Sequence, residues 1–279
     1  MSGEKFTVAG VIGWPIGHSL SPRLHGHWLK RYGIAGTYIP MAVAPEQVGN
    51  AIHGVIALGL AGCNVTVPHK EAVMPFLDEV EPAARRIGAV NTIVVTPDGR
   101  TVGSNTDGFG FLENIRAGVE GWQPDTGAAV VIGAGGAARS ILVALIDGNC
   151  PEIRLVNRSP DRAERVAAEM GPPIRAVPWE RRAEALDGAS LLVNTSAAGM
   201  AGNPPLDLTL GALPKSAIVT DIVYAPLRTK LLTDAAENGN RTVDGLGMLL
   251  HQARPGFEAW FGVSPTVDQA LRAAVLAAS

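Results

Sequence analysis

Short apolar runs alternate along the chain with stretches whose apolar positions recur at helical spacing. Strand-like runs cover Thr7 to Ile12, Thr37 to Met41, Gly62 to Val67 and Ala89 to Val95, with helical patterns over Pro22 to Tyr32 and Pro45 to Leu58 between them. That order is β-α-β-α-β. A second series begins after Pro124. Its strand-like runs are Ala128 to Ile132, Ile153 to Val156, Leu191 to Val193 and Ala217 to Ile222, separated by helix-like Gly136 to Ile146 and Asp161 to Met170. Parallel sheets with helices on both faces are expected in both halves, which makes the fold class α/β.

The join is expected near Gly103 to Gly108, where Gly-Ser-Asn-Thr-Asp-Gly interrupts the apolar pattern before an amphipathic segment, Phe109 to Ile115. Asp107 then falls close to a helix N-terminus, where the dipole favours an acid whether or not it does chemistry. The tail from Gly247 to Ala277 is helical with no strand after it and is read as packing back on the first domain. The resulting division is residues 1–106 with 243–279 in one domain and 107–242 in the other.

Composition narrows the function. A chain of 279 residues, 47% hydrophobic and 18% charged, has apolar material for two cores. Its net charge of −3 offers no general attraction to nucleic acid or to an anionic membrane, so an anionic ligand has to be held by a local basic pocket. Cys63 and Cys150 are the only cysteines, outside any C-x-x-C pair, and are read as buried thiols rather than a disulfide or zinc site; no metal is expected. The N-terminus lacks the apolar core of a signal peptide and no stretch approaches the roughly 20 apolar residues of a membrane span, so a cytoplasmic location is expected.

Val130-Val-Ile-Gly-Ala-Gly-Gly-Ala-Ala-Arg139 is a hydrophobic strand running into G-x-G-x-x-A. Gly133, Ala134, Gly135, Gly136 and Ala137 form a turn small enough for a pyrophosphate to approach backbone N–H groups at the start of the next helix. A Rossmann-type dinucleotide domain is therefore expected. The next strand carries no acid at its end to accept from ribose hydroxyls, as NAD would favour. Asn157, Arg158 and Ser159 follow it, with Arg162 close behind, so two guanidinium groups and a hydroxyl stand where the 2′-phosphate of NADP is expected.

The chemistry points to Asn64-Val-Thr-Val-Pro-His-Lys70, where Val65 and Val67 alternate with Asn64 and Thr66 and Pro68 stops the strand. A lysine delivered at a strand end beside an amide and a hydroxyl suits proton transfer to or from an alcohol. Six histidines are present, but His25 and His27 are two apart on one helix and point to different sides, against a shared metal.

Several blocks in order resemble the shikimate dehydrogenase family: Gly17-His-Ser19-Leu-Ser21-Pro22, Asn64 to Lys70, Gly88-Ala-Val-Asn91-Thr92, Asn105-Thr-Asp107-Gly108, the glycine turn, Asn157-Arg158-Ser159, Asn194-Thr-Ser196-Ala-Ala-Gly199-Met200, Asp221-Ile-Val-Tyr224 and Asp244-Gly245 to Gln252. The resemblance implies an N-terminal α/β substrate domain, a Rossmann NADP domain, and reversible NADPH-dependent reduction of 3-dehydroshikimate to shikimate. It also implies that Ser19 and Ser21 hold the substrate carboxylate, that Thr66, Asn91, Asp107, Tyr224 and Gln252 fix its hydroxyls or ring, and that Lys70 is the acid/base group, coupled to Asp107. Ile222 and Gly245 join the cofactor site by the same resemblance.

Each residue has a plainer reading: Ser19 and Ser21 as helix caps, Asn91 in a turn, Gln252 as an exposed helix residue. Two other functions also stand beside the first, a broad quinate/shikimate dehydrogenase and a non-catalytic regulator that binds NADP or a metabolite. The assembly is expected to be a monomer or a homodimer.

Overall fold

A computed structural model describes residues 6–277. They fall into two compact units: one ends at Thr106 and resumes at Leu249, and the other runs from Asp107 to Met248. Residues 1–5 and 278–279 of the expected first domain lie outside the described residues.

The first unit opens with β1 (Thr7–Gly13), α1 (Ser21–Tyr32), β2 (Gly36–Ala42), α2 (Val48–Ala57), β3 (Gly62–Val65), α3 (His69–Ala72), β4 (Glu79–Val80), α4 (Pro82–Ile87), β5 (Thr92–Val95) and β6 (Thr101–Ser104). Its sheet has the order β2-β1-β3-β5-β6-β4. β1 is parallel to both β2 and β3, but β5 runs antiparallel to β3 and to β6, so the sheet is mixed rather than parallel throughout. The cause lies at Thr96-Pro-Asp-Gly-Arg100. Gly99, at φ +83°, turns the chain tightly, and the Thr96 N–H donates to the Arg100 carbonyl at 2.9 Å. So short a connection joins only antiparallel strands.

The expected strand to Val67 stops at Val65, because Thr66 turns the chain and its carbonyl accepts the His69 N–H at 2.9 Å. Ile12, Ile52, Cys63, Val73 and Ile93 form the middle of this unit's core. Burial pushes the Cys63 thiol up to about 12, as suits an inert packing residue.

The second unit comprises α5 (Asp107–Gly118), β7 (Ala128–Ile132), α6 (Gly136–Asp147), β8 (Ile153–Val156), α7 (Pro160–Met170), β9 (Ile174–Val177), β10 (Ala189–Asn194), β11 (Ile218–Asp221), α8 (Lys230–Glu237) and β12 (Arg241–Val243). All its strands are parallel, in the order β12-β11-β10-β7-β8-β9. Neighbouring strand residues point to opposite faces. Val131, Leu155 and Val193 pack with α5, α6 and α7, while Val130, Ile132, Leu192 and Val219 pack with Leu206 to Leu213 and α8. Gly108 allows α5 to lie close on α6, since a Cβ there would stand 2.8 Å from the Ser140 carbonyl oxygen.

α9 (Leu246–Phe261) and α10 (Gln269–Leu276) complete the chain. The second unit extends to Met248, beyond the expected boundary at residue 242, because Asn114 Nδ2 donates to the Asp244 carbonyl at 2.7 Å and the side chain of Asn114 fills the space beside Gly247. From Leu249 onward the tail belongs to the first unit. Phe257 packs among Trp28, Tyr32 and His25, Trp260 Nε1 donates to the Ile93 carbonyl at 3.0 Å, and Trp28 Nε1 donates to the Thr266 carbonyl at 3.0 Å. The tail is two helices, separated by the segment from Gly262, at φ +74°, to Asp268. Among the described residues no helix is long and apolar enough to cross a membrane.

Candidate functional site

In the first unit the candidate residues gather at the carboxyl ends of β1 and β3 and in the turns preceding β5 and following β6. Asn64, the third residue of β3, is buried; its Nδ2 donates to the Asn91 carbonyl and to Thr92 Oγ1, both at 3.1 Å. The Val65 N–H donates to the same Asn91 carbonyl at 2.8 Å, and the Asn91 N–H to the Ser104 carbonyl at 3.0 Å. Asn91 is therefore fastened into the sheet rather than sitting in a free turn. Its side chain accepts from the Thr106 N–H at 2.9 Å and donates to Gln252 Oε1 at 3.2 Å. Gln252 is buried too, and Thr106 Oγ1 donates to its carbonyl at 2.8 Å. A buried pair of amides fits a ligand rich in hydroxyls, because such groups acquire partners only from polar surroundings.

Lys70 follows directly from the Pro68 turn as the second residue of α3 and is half-buried. Its carbonyl accepts the Val90 N–H at 2.8 Å, tying the lysine turn to the segment that carries Asn91. His69 is buried with Nε2 2.7 Å from the Val43 carbonyl oxygen, an anchoring contact. Thr66 sits against Gly13, where a Cβ would come 2.6 Å from Thr66 Cγ2. Ser21 lies inside α1, whose N-cap position is held by Leu20, so capping does not account for it; Ser19 Oγ accepts the Ser21 N–H at 3.3 Å.

In the second unit the strand order changes direction between β7 and β10, the switch point at which open α/β sheets take ligands beyond their carboxyl ends. Gly133 to Ala137 stand there. Gly133 adopts φ +112°, and a Cβ on it would come 2.6 Å from Thr195 Oγ1, so no side chain fits. Nothing lies within 4 Å of where a Cβ of Gly135 would be, leaving the face of the turn open at the start of α6. That open small-residue cradle fits a pyrophosphate.

Arg162 Nε donates to the Ala134 carbonyl at 2.8 Å and braces this turn. Asn157 Nδ2 donates to the Ser159 carbonyl at 2.9 Å, shaping the loop that leaves Arg158 and Ser159 exposed. Gly245 packs directly on Ile222, where a Cβ would be 2.5 Å from the Ile222 carbonyl oxygen. Tyr224 is half-buried, and burial pushes its phenol up. Asp107 is the buried first residue of α5.

Thr92, Thr106 and Thr195 carry no role in the sequence motifs, yet they supply the contacts just described. Asp221 is another such residue. It accepts from Asn194 Nδ2 and the Val223 N–H, each at 3.0 Å, and from Thr229 Oγ1 at 2.7 Å, locking the ends of β10 and β11. Burial still outweighs those bonds and raises its carboxyl above the ordinary range.

A parallel sheet in this order, with a glycine turn at its switch point, defines the second unit as a dinucleotide-binding domain of the Rossmann class. The chain belongs to the shikimate/quinate dehydrogenase family. Residues 11–93 match the model described as the shikimate dehydrogenase substrate binding domain, 122–201 that of shikimate/quinate 5-dehydrogenase, and 245–275 that of the shikimate 5'-dehydrogenase C-terminal domain. A shikimate dehydrogenase (NADP(+)) of Rhodospirillum rubrum is 60% identical over 276 residues, 98% of each chain. Among solved structures, shikimate 5-dehydrogenase of Thermus thermophilus in complex with NADP(H) and shikimate is 37% identical with a TM-score of 0.86, covering 97% of this chain and 98% of that one. Quinate dehydrogenase from Corynebacterium glutamicum in complex with NAD is 29% identical with a TM-score of 0.89, covering 98% of this chain and 99% of that one.

Proposed function

We propose that this chain is an NADP-dependent oxidoreductase acting on a CH–OH group, and that it interconverts 3-dehydroshikimate and shikimate. The buried pairing of Asn91 with Gln252, drawn together across 161 positions of sequence, is the observation that carries the substrate assignment. Amide groups held this way recognise hydroxyls, and a ligand missing one leaves them unpaired. Thr66, Asp107 and Tyr224 belong to the same hydroxyl- and ring-fixing set. Ser19 and Ser21 hold the carboxylate through their hydroxyls.

Bound NADP(H) supplies and accepts the hydride. Gly133 to Ala137 would hold its pyrophosphate and Arg158, Ser159 and Arg162 its 2′-phosphate, with Asn157, Ile222 and Gly245 completing the site. Lys70 gives a proton to the developing alkoxide during reduction and takes it back during oxidation, with Asp107 as its coupled partner. Residues 1–106 with the tail are the substrate domain and the glycine-turn unit the NADP domain. A cytoplasmic location and a monomeric or homodimeric assembly, without nucleic acid or membrane partners, belong to the same reading.

Initial rates of nicotinamide absorbance change with shikimate and quinate, each paired with NADP⁺ and NAD⁺, test the assignment. A strong preference for shikimate with NADP⁺ is expected. Comparable rates with quinate or NAD⁺ would make it a broad-specificity enzyme, a reading the quinate dehydrogenase likeness keeps in view. No turnover with any pair, alongside NADPH binding, would make it a silent binder.

A further inference from the structure

Behind Asn91 lies a run of buried polar groups in which the orientations of the Asn64 and Asn91 amides have a single solution. The Asn91 carbonyl only accepts, so the atom of Asn64 facing it at 3.1 Å is Nδ2. The same Nδ2 faces Thr92 Oγ1 at 3.1 Å, which makes Thr92 an acceptor there. Thr92 Oγ1 is then free to donate its one proton to Asn91 Oδ1, 2.9 Å away. At the far side the Thr106 N–H, which only donates, reaches the same Oδ1 at 2.9 Å. Both neighbours thus place the oxygen of the Asn91 amide toward themselves. Its NH₂ edge is left facing Thr106 Oγ1 at 3.1 Å and Gln252 Oε1 at 3.2 Å.

The run begins at Tyr38. Its hydroxyl donates to Asn64 Oδ1 at 2.6 Å and so holds the Asn64 amide in the one orientation that keeps Nδ2 toward Thr92. The direction of that hydroxyl is set by the ring, which lies flat on His25 with centroids 3.9 Å apart and planes 3° from parallel. His25 is fully buried, and desolvation pulls its imidazole down to about 3, so the stacking partner is neutral throughout the working range of pH. Tyr38, Asn64 and Thr92 are each no more than 6% exposed, which removes water as a substitute partner.

We infer that Tyr38 and Thr92 are positioning residues for the reaction, fixing through Asn64 which edge of the Asn91 amide is offered to substrate. The edge offered is the NH₂ edge, whose two protons face Thr106 Oγ1 and Gln252 Oε1, so a substrate oxygen, either a hydroxyl lone pair or a carbonyl, is received there as acceptor by taking the place of one of those two partners. This rests on the reading of Asn91 as a substrate ligand. Neither Tyr38 nor Thr92 needs to touch the substrate. Without Thr92 Oγ1 one of the groups holding Asn91 Oδ1 is lost, and a buried proton of Asn64 has no acceptor, which favours rotation of one amide or both.

The test is the kinetics of four proteins, the wild type, Thr92→Val, Thr92→Ser and Tyr38→Phe, with shikimate and NADP⁺, alongside thermal unfolding. Valine matches threonine in shape without the hydroxyl, and serine restores it. Thr92→Val is expected to raise KM for shikimate about tenfold, with kcat and KM for NADP⁺ little changed, the signature of lost uniform binding. Thr92→Ser is expected to stay within about twofold of the wild type, and Tyr38→Phe to shift KM for shikimate in the same direction as valine.

A wholly structural role would lower the active fraction, and so the apparent kcat, at unchanged KM; that result in the valine and phenylalanine variants overturns the inference. So does a KM for Thr92→Val within about twofold of the wild type, or a serine variant as impaired as valine. If Thr92→Val does not fold, Thr92→Ala takes its place, since Tyr38→Phe also removes a partner of Ser21. Wild-type turnover of shikimate tests the functional reading separately. Its absence removes both proposals, whereas wild-type turnover with unmoved variant KM values removes only this one.

Discussion

Gly133 and Thr195 face each other across the switch point of the second sheet so closely that a single methyl group would not fit. The hypothetical Cβ stands 2.6 Å from Thr195 Oγ1 and 3.1 Å from the Ser196 nitrogen, and the backbone at φ +112° excludes a side chain independently. Gly133→Ala must therefore move either the glycine turn or the loop after β10. A cost of about 1–3 kcal/mol in stability is expected from the strained backbone, and a loss of at least about tenfold in NADPH affinity from displaced N–H groups. Denaturant midpoints and quenching of NADPH fluorescence measure the two. Unchanged affinity would separate this turn from the cofactor.

Arg158 and Arg162 stand four residues apart but differ in what holds them. Arg158 is exposed, whereas Arg162 is fastened to the Ala134 carbonyl at 2.8 Å. Arg158→Ala is expected to raise KM for NADPH about tenfold or more while leaving KM for NADH in place, since only the former carries the 2′-phosphate. Arg162→Ala also loosens the glycine turn and is expected to weaken both cofactors. Steady-state rates with the two cofactors distinguish these patterns, and equal changes for NADPH and NADH in Arg158→Ala would remove it from phosphate recognition.

The glycine turn was legible in the chain because its signal is local: a strand, three small residues at fixed spacing and a helix. The amide network was not, since Asn91 meets Thr106 across 15 positions and Gln252 across 161. No periodicity records such pairings. Among the elements, β7 and β8 begin and end where the apolar runs do, while Glu79–Val80 and Arg241–Val243 are too short and too exposed to stand out from loops. The antiparallel hairpin at Pro97-Asp-Gly99 carried a turn signal that the expectation of a parallel sheet overrode.

Lys70 and Ser19 are expected to fail in different ways when truncated. Lys70→Ala removes the group that moves the proton, so kcat is expected to fall by about 10² to 10⁴, far more than KM for shikimate rises. Ser19→Ala removes a donor to the carboxylate in ground and transition states alike. Its KM is expected to rise about tenfold or more with kcat nearly intact. A Lys70→Ala enzyme of near-normal kcat would end its assignment as the acid/base group.

Arg154 and Arg175 are register partners on the adjacent strands β8 and β9, an unfavourable juxtaposition of like charges that Glu152 resolves. One carboxylate oxygen lies 2.8 Å from Arg154 Nη2 and the other 2.6 Å from Arg175 Nε. The bonds from Arg154 and then Arg175 hold the Glu152 carboxyl down to about 2, against an ordinary value of 4.5. Because the folded-state value is the lower, the unfolded chain binds the proton first. The stabilisation is therefore complete above about 4.5 and is lost as pH falls toward about 2. Glu152→Gln keeps the shape without the charge and leaves the two guanidinium groups opposed. Its denaturant midpoint is expected to lie below that of the wild type at neutral pH, with the gap closing progressively as the pH is lowered through that window. Partial exposure and salt screening reduce the size of the gap but not its direction. Paired unfolding curves at a series of pH values measure it, and a gap that stays constant from neutral pH down to about 2 would show that the Glu152 charge does not bridge the strands.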